Sequence, residues 1–239
     1  MRFIHASDLH IDSPLRGLDR YDGAPVERLR SATRSALERL VDKALAERVD
    51  FLLLAGDIYD RDWQDFHTGL FFRGQMVRLE RAGIRCFIVQ GNHDAQGVIS
   101  RQLTLPSNVT VFSSRAAQTI RLDELSVAIH GRSFPEREVN EDLVPSYPPP
   151  VSGYFNIGLL HTSLTGRAGH DTYAPTDLPT LVAKGYDYWA LGHVHAREVL
   201  NELPRIVFCG NLQGRHAKET GAKGCELVTV EAGRVEAEF

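Results

Sequence analysis

Short clusters of potential metal ligands recur along almost the whole chain, and each cluster follows a short apolar run. The clusters are Asp8-Leu9-His10, Gly56-Asp57, Gly91-Asn92-His93-Asp94, His161 and Gly192-His193-Val194-His195. No cluster alone offers enough ligands for one ion, so a fold that uses them must bring them together. Parallel strands can do this, because their carboxyl ends meet at one edge of a sheet. The chain is therefore expected to form a sheet whose polar clusters share an edge.

The first half of the chain alternates between strand and helix patterns. Apolar runs predict strands over residues 2–7, 51–55 and 84–89, and helical periodicity predicts helices over residues 25–49 and 64–81. A βαβαβ order of this kind forms a parallel sheet. Each of the three strands leads directly into one of the polar clusters.

The second half of the chain is richer in strands. Residues 109–112, 119–122 and 126–130 are predicted as short antiparallel strands, residues 178–184 as a helix, and residues 155–160, 186–191, 206–208, 226–230 and 234–238 as further strands. The strand over residues 155–160 leads into His161, and the strand over residues 186–191 leads into the cluster at His193. Because ligand clusters lie in both halves, we predict one domain over residues 1–239.

Composition narrows the function classes. The chain is 43% apolar and 24% charged, as a folded globular protein is, and its net charge of −4 does not by itself indicate nucleic-acid binding. Met1 leads into the first strand without the apolar segment of a secretory signal, and no run is long enough to span a membrane. We therefore expect a cytoplasmic protein. Cys86, Cys209 and Cys225 form no CxxC pair, which argues against a thiolate metal site.

The ligand types favour hard divalent cations. Asp8 and His10 are two residues apart, so in an extended chain both side chains point to one face, and the same holds for His193 and His195. The carboxylate of Asp57 has two oxygens and can bridge two ions. Mixed carboxylate, amide and imidazole ligands suit Mn²⁺, Fe or Zn²⁺ and argue against copper or an iron–sulfur cluster.

The order of the clusters, D-x-H, G-D, G-N-H-D/E, H and G-H-x-H, resembles the calcineurin-like metallophosphoesterase family from Phe3 to His195. The resemblance implies an α/β fold, a four-layer αββα sandwich of two mixed β-sheets flanked by helices. It also implies an enzyme, a dinuclear metal-dependent phosphoesterase that hydrolyses phosphodiester bonds.

The same resemblance gives each cluster residue a role. One ion would be held by Asp8, His10, Asp57 and His195, and the second by Asp57, Asn92, His161 and His193. Asp57 would bridge the two ions. His93 would be a catalytic residue that faces the scissile phosphate, and Asp94 would orient it. His93 would then add positive charge or protonate the leaving oxygen.

Several longer segments resemble the SbcD/YhaO-like branch of DNA-repair exonucleases, namely residues 4–10, 54–60, 186–195, 210–216 and 218–224. This resemblance implies a Mn²⁺-dependent exonuclease with some endonuclease ability, a DNA substrate and a coiled-coil ATPase partner of the SMC-like class. Members of the branch usually continue into a capping region, whereas this chain ends at Phe239, so we expect the catalytic domain alone. The sequence does not decide whether the protein forms a homodimer, in which direction it digests DNA, or which metal it uses.

Two other functions are compatible with these residues. One is a small-molecule or cyclic-nucleotide phosphodiesterase or phosphatase that uses the same metal site. The other is a catalytically vestigial scaffold, which missing ligands would favour, although none is missing. Among the remaining polar residues, we expect His5, His67 and His130 to be structural. The stretch 166–173 could contact a substrate strand or form a plain surface loop, and the same choice stays open for Arg215.

Overall fold

The structure, a computed structural model, describes residues 1–13, 31–60, 66–95, 103–166, 172–216 and 218–239. Its strands are β1 (Arg2–Ala6), β2 (Phe51–Ala55), β3 (Arg85–Val89), β4 (Val109–Val111), β5 (Gln118–Leu122), β6 (Val127–Gly131), β7 (Phe155–His161), β8 (Tyr188–Gly192), β9 (Glu198–Glu202), β10 (Arg205–Phe208), β11 (Glu226–Glu231) and β12 (Arg234–Glu238). Its α-helices are α1 (Ala32–Glu47), α2 (Phe66–Arg81) and α3 (Leu178–Ala183). Among the described residues, no helix is both long enough and apolar enough to cross a bilayer.

The strands form two mixed sheets of six strands each, as counted over the described residues. The first sheet has the order β12-β11-β1-β2-β3-β4, in which β1 to β4 are parallel, β11 is antiparallel to β1, and β12 is antiparallel to β11. The second sheet has the order β5-β6-β7-β8-β10-β9, in which β6, β7, β8 and β10 are parallel. The predicted mixed sheets are thereby confirmed.

One sequence-based expectation about the second half was wrong, and one strand was missed. Of the strands predicted as an antiparallel set, only β5 and β6 pair that way, whereas β4 runs parallel to β3 and β6 runs parallel to β7. A short run such as Val109-Thr110-Val111 carries no information about the direction of its strand, which depends on the strand that it pairs with. β9 was not predicted at all.

For the first helix, the described part begins at Ala32, and residues 25–30 of the prediction lie outside the described residues.

Apolar contacts assemble these elements into four layers. Leu52 and Leu54 of β2 face α1 and α2, whereas Phe51 and Leu53 face the second sheet, so both faces of this strand are covered. The far side of the second sheet packs Trp189 and other residues against α3. The helix–sheet–sheet–helix order confirms the predicted αββα sandwich.

The parallel strands of both sheets end at the same side of the molecule, and there the sheets approach closely. His161 pairs with Gly192 at the ends of β7 and β8, and the His161 Nδ1 atom lies 2.9 Å from the Ala55 carbonyl oxygen of β2. A Cβ atom on Gly192 would lie 1.9 Å from that same oxygen. Only glycine therefore allows the two strand ends to meet.

We expect the substitution Gly192→Ala to lower the free energy of unfolding by about 1–3 kcal/mol, because the added methyl forces the two sheets apart. Gly74→Ala in α2 is the control, since a Cβ there meets nothing within 4 Å and the change should stabilise the helix by about 0.5–1 kcal/mol. Urea unfolding of metal-free protein measures both. Equal stability of the two variants would contradict the close approach.

Candidate metal centre

The structure brings the predicted metal ligands together at the shared strand ends. They follow five different strands: Asp8 and His10 come after β1, Asp57 after β2, Asn92 after β3, His161 at the end of β7, and His193 and His195 after β8. All of them are buried except His195, whose side chain is 11% exposed. Carboxylates and imidazoles at this depth need a compensating partner.

Three of the ligands form one group. The nitrogen or oxygen atoms of Asp8, His10 and His195 lie within 4.8 Å of one another. The Nε2 atoms of His10 and His195 are 3.2 Å apart, and His195 Nε2 is 3.8 Å from Asp8 Oδ1. The other ring nitrogen of His195 lies 2.7 Å from the carboxylate of Glu219 and therefore donates to it. Nε2 of His195 is therefore the ring nitrogen that faces the group.

A second group is centred on His161. The Ala55 carbonyl can only accept, so His161 Nδ1 carries a proton, and in the neutral form of the ring, which a metal ligand requires, Nε2 carries the lone pair. That lone pair lies 3.0 Å from Asn92 Oδ1 and 3.6 Å from Asp57 Oδ2. Three acceptor atoms turned toward one point repel one another unless a cation lies among them. The ring of His193 lies next to this group, with its centroid 5.1 Å from that of His161.

Asp57 joins the two groups. Its Oδ2 atom lies 3.7 Å from His10 Nε2 and 3.6 Å from His161 Nε2, so one carboxylate faces both sets of ligands. Burial acts to raise the pKa of Asp57, but the neighbouring histidines, His161 foremost, outweigh it and the pKa is lowered. Burial and the charge of Arg215 hold the pKa of His10 well below its ordinary value, so this ring is neutral, as a ligand must be.

These residues fit two divalent cations. The donors are nitrogen and oxygen atoms, as hard or borderline ions prefer, and His10 Nδ1 is a buried polar atom without a hydrogen-bond partner. In the described part of the chain, no thiolate belongs to the groups of side chains that could hold a metal ion. Cys209 lies near Ser7, but burial raises the pKa of its thiol far above the ordinary value, so it stays protonated.

The backbone at the ligands is not extended. Asp8, His10 and Asp57 have φ angles of 52°, 42° and 54°, and His193 has a φ of 100°. The expectation that Asp8 and His10 share one face of an extended strand was therefore wrong, because a left-handed turn presents them instead. Such conformations cost about 1–3 kcal/mol each and cluster at functional sites. They are held by backbone hydrogen bonds, such as that from the Asp8 amide to the Gly56 carbonyl at 3.0 Å.

A glycine makes room for the ligands from the first sheet. A Cβ atom on Gly91 would lie 2.4 Å from Asp57 Oδ1 and 2.7 Å from His161 Cε1. The residue before Asn92 must therefore lack a side chain if Asp57 and His161 are to approach each other.

His93 is held by Asp60 rather than by Asp94. Its Nδ1 atom lies 2.7 Å from Asp60 Oδ1, its ring is 4.7 Å from that of His10, and its side chain is 11% exposed. Burial acts to raise the pKa of Asp60, but contacts with His93 and Ser13 hold it well below its ordinary range. The expectation that Asp94 orients His93 is therefore not met by the geometry.

Asp94 instead fixes the backbone around the ligands. Its carboxylate accepts hydrogen bonds from the amides of Ile58, Tyr59 and Gly91 at 3.1, 3.0 and 3.2 Å. Burial and the charge of Asp57 raise its pKa, and the three amides oppose this shift. Asp94 thus ties the segment after β2 to the segment after β3.

Two residues that contact the site, Asp60 and Glu219, received no role in the sequence-based prediction, and for Arg215 the choice lay between contact with a substrate strand and a plain surface loop. Asp60 holds His93, Glu219 holds His195, and Arg215 donates to Asp60 Oδ2 at 2.7 Å. Asp60 lies three residues after Asp57, within a segment noted for its family resemblance. Its proximity in sequence to Asp57 was the one signal that could have identified it.

The other polar residues have mostly structural surroundings. His5 is buried with its ring nitrogens 3.1 Å from Tyr188 Oη and from the Leu191 carbonyl oxygen, and His130 is buried 3.0 Å from Asn156 Oδ1, which confirms the structural prediction for both. Tyr173 has its ring centroid 5.7 Å from that of His193. Residues 167–171 of the predicted loop lie outside the described residues.

Comparison with known proteins assigns the chain to a protein family. The family model described as "calcineurin-like phosphoesterase" matches residues 1–197. The uncharacterized metallophosphoesterase YhaO of Bacillus subtilis strain 168 is 39% identical over 243 residues, which cover 100% of this chain and 60% of that protein.

More distant relatives have names that refer to DNA or to a nuclease. A subunit of the nuclease SbcCD from Escherichia coli K12 is 23% identical over 99% of this chain and 66% of its own length. The DNA double-strand break repair protein Mre11 of Methanopyrus kandleri is 25% identical over 82% of this chain and 44% of its own length. The matches thus span between 44% and 66% of the length of these curated relatives.

Two solved structures share the fold. The protein TT1561 of Thermus thermophilus superposes with a TM-score of 0.54 at 13% identity, covering 99% of this chain and 97% of that one. A dimetal phosphatase from Danio rerio superposes with a TM-score of 0.55 at 10% identity, covering 97% of this chain and 93% of that one. At such identities the likeness supports the architecture alone.

We expect Asp94→Ala to lower the free energy of unfolding of metal-free protein by about 2–4 kcal/mol, because three buried amides lose their acceptor. Asp42→Ala is the control, since that carboxylate is 61% exposed and its ion pair with Arg78 lies at the surface. Chemical denaturation of both variants measures the difference. A stability of Asp94→Ala equal to that of the control would mean that Asp94 does not hold the backbone.

Proposed function

Because the chain belongs to the calcineurin-like phosphoesterase family, we propose that it is a DNA exonuclease that acts in DNA repair and uses two Mn²⁺ ions. Family membership makes it a hydrolase of phosphoester bonds with a site for two divalent ions. The observation that carries the proposal is the placement of Asp57 Oδ2, which lies 3.7 Å from His10 Nε2 and 3.6 Å from His161 Nε2. One carboxylate between two ligand groups is the arrangement that a two-ion site requires.

The ligand groups support a division of the site into two halves. In the proposal, one ion is bound by Asp8, His10, Asp57 and His195, and the other by Asp57, Asn92, His161 and His193. When bound, such a pair of ions lowers the pKa of a water molecule and neutralises the phosphoryl oxygens of the substrate. The protein contributes the fixed positions of the ligands, and hydrogen bonds to the Ala55 carbonyl and to Glu219 set the tautomers of His161 and His195.

His93 is the proposed catalytic residue of the chain itself. Its Nδ1 atom lies 2.7 Å from Asp60 Oδ1, so Nδ1 faces that carboxylate and Nε2 is left for the substrate. A protonated ring beside the phosphate stabilises negative charge and can transfer its proton to the leaving oxygen. Asp60 takes the orienting role first expected of Asp94, which supports the site indirectly through the backbone.

The choice of DNA and of Mn²⁺ goes beyond the family. DNA is supported by two relatives whose names are a nuclease subunit and a double-strand break repair protein. The name of the Escherichia coli relative, a subunit of a nuclease, also supports a partner protein. We propose that this partner is an SMC-like coiled-coil ATPase and that both proteins act in the cytoplasm. Mn²⁺ is supported by the mixture of carboxylate, amide and imidazole donors, which Fe and Zn²⁺ also accept. We propose residues 1–239 as the catalytic domain.

DNA cleavage tests the substrate class. Purified protein with Mn²⁺ is incubated with end-labelled duplex and single-stranded DNA, and separately with bis-p-nitrophenyl phosphate. We expect DNA products shortened progressively from an end, and no products from the Asp57→Asn variant, because the carboxylate shared by both ligand groups loses its charge. Release of nitrophenol without DNA cleavage would overturn the nuclease proposal in favour of a small-molecule phosphodiesterase. Absence of both activities would favour a scaffold.

Substitution of His93 tests its role separately from metal binding. We expect His93→Gln to lower turnover of bis-p-nitrophenyl phosphate by about 10²–10⁴-fold, the usual contribution of a positioned acid. The content of two Mn²⁺ per chain, measured by elemental analysis, should not change. His67→Gln, on the exposed part of α2, should match the unsubstituted protein in both measurements. Loss of metal from His93→Gln would show that His93 is a ligand instead.

A further inference from the structure

We propose that Arg215 and Glu219, in the segment after β10, are positioning residues with separate tasks: Glu219 orients the metal ligand His195, and Arg215 orients His93 through Asp60. The inference rests on the proposed function and adds residues that lie outside the two ligand groups. Both residues belong to stretches that the sequence singled out for their family resemblance; Glu219 received no role there, and Arg215 was considered only as a possible contact for a substrate strand.

Both carboxylate oxygens of Glu219 contact polar groups at the site. Its Oε1 atom lies 2.7 Å from His195 Nδ1, and its Oε2 atom accepts from Asn211 Nδ2 at 2.8 Å and from the Arg215 amide at 2.7 Å. Its side chain is only 13% exposed, and His216 also approaches Oε1 at 3.4 Å. A carboxylate that accepts from Nδ1 fixes the ring and makes Nε2 a better electron donor. Nε2 is the atom that faces His10 and Asp8.

Arg215 acts on the other side of the site. Its guanidinium donates to Asp60 Oδ2 at 2.7 Å and to Ser13 Oγ at 3.2 Å, and Ser13 Oγ donates to the same Asp60 oxygen at 2.7 Å. Asp60 Oδ2 is thereby occupied, and Oδ1 is left to contact His93 Nδ1 at 2.7 Å. The two donors to Oδ2 restrain the carboxylate while Oδ1 faces His93.

The short segment over residues 215–219 thus contacts the partners of both the metal ligand His195 and the proposed catalytic residue His93. The Arg215 amide donates to Glu219, so the backbone that carries the guanidinium also anchors the carboxylate. The two side chains nevertheless contact different residues: Glu219 contacts the proposed metal ligand His195, and Arg215 contacts Asp60, the partner of His93. The inference therefore predicts that the two residues can be separated by experiment.

The test compares Mn²⁺ affinity with turnover of bis-p-nitrophenyl phosphate, a substrate too small to depend on DNA contacts. In Glu219→Ala, we expect the affinity for one of two Mn²⁺ ions to fall about 10–100-fold, the usual effect of losing a residue that orients a metal ligand. Mn²⁺ electron paramagnetic resonance measures the free ion. Turnover should recover when Mn²⁺ is saturating. Glu219→Gln, which keeps an acceptor without the charge, should lose less affinity.

In Arg215→Ala, we expect the opposite pattern. Both Mn²⁺ affinities should change by less than the roughly 10–100-fold loss expected in Glu219→Ala, although the charge of Arg215 also acts on His10. In contrast, kcat should fall at least about 10-fold at every Mn²⁺ concentration, within the range for an imperfectly placed proton donor. Arg215→Lys should restore part of kcat, because it returns the charge without the planar fork. Lys218→Ala is the matched control, since this exposed residue lies in the same segment and should alter neither quantity.

Three results would overturn the inference. They are a loss of Mn²⁺ in Arg215→Ala, a loss of turnover in Glu219→Ala that saturating Mn²⁺ does not restore, and wild-type behaviour of both variants. Circular dichroism identifies a variant that has unfolded, and for that position the conservative variant then decides. If the unsubstituted protein failed to bind two Mn²⁺ or to cleave the diester, the proposed function would fail first. If it does both, only the roles of Arg215 and Glu219 are at stake.

Discussion

The hydrogen bond from His161 Nδ1 to the Ala55 carbonyl, at 2.9 Å, is the contact on which the site depends. It joins the last residue of β7 in one sheet to the last residue of β2 in the other. Because the carbonyl can only accept, the bond also fixes the tautomer of His161 and turns its Nε2 toward Asp57 and Asn92. This one hydrogen bond thus holds the two sheets close together and directs His161 Nε2 toward the proposed metal site.

The close approach of the strand ends leaves little room for side chains or for relaxed backbone. Gly192 is needed where the sheets meet, and Gly91 is needed where Asp57 and His161 converge. Asp8, His10, Asp57 and His193 turn through left-handed conformations that an extended strand would avoid. The surrounding parallel strands and the carboxylate of Asp94 hold these turns in place, so the fold bears a local conformational cost in order to position the ligands.

Sequence reasoning identified the parts of this protein that depend on local pattern. Continuous apolar runs indicated β2 and β7, and the polar residues after them, which we predict to be metal ligands, lie together at the strand ends. Features that depend on distant contacts were missed. The direction of β4 depends on its pairing with β3, and β9 is a polar edge strand with no distinctive periodicity. Glu219 reaches His195 across 24 residues, so spacing along the chain could not connect them.

The central claim is that ligands from both sheets enclose two cations that share Asp57. Anomalous diffraction from crystals soaked in Mn²⁺ tests this claim most directly. The account predicts two anomalous peaks about 3.5–4 Å apart, with the Asp57 carboxylate between them and three further side chains on each ion. A single peak, or two peaks of which only one contacts Asp57, would contradict it.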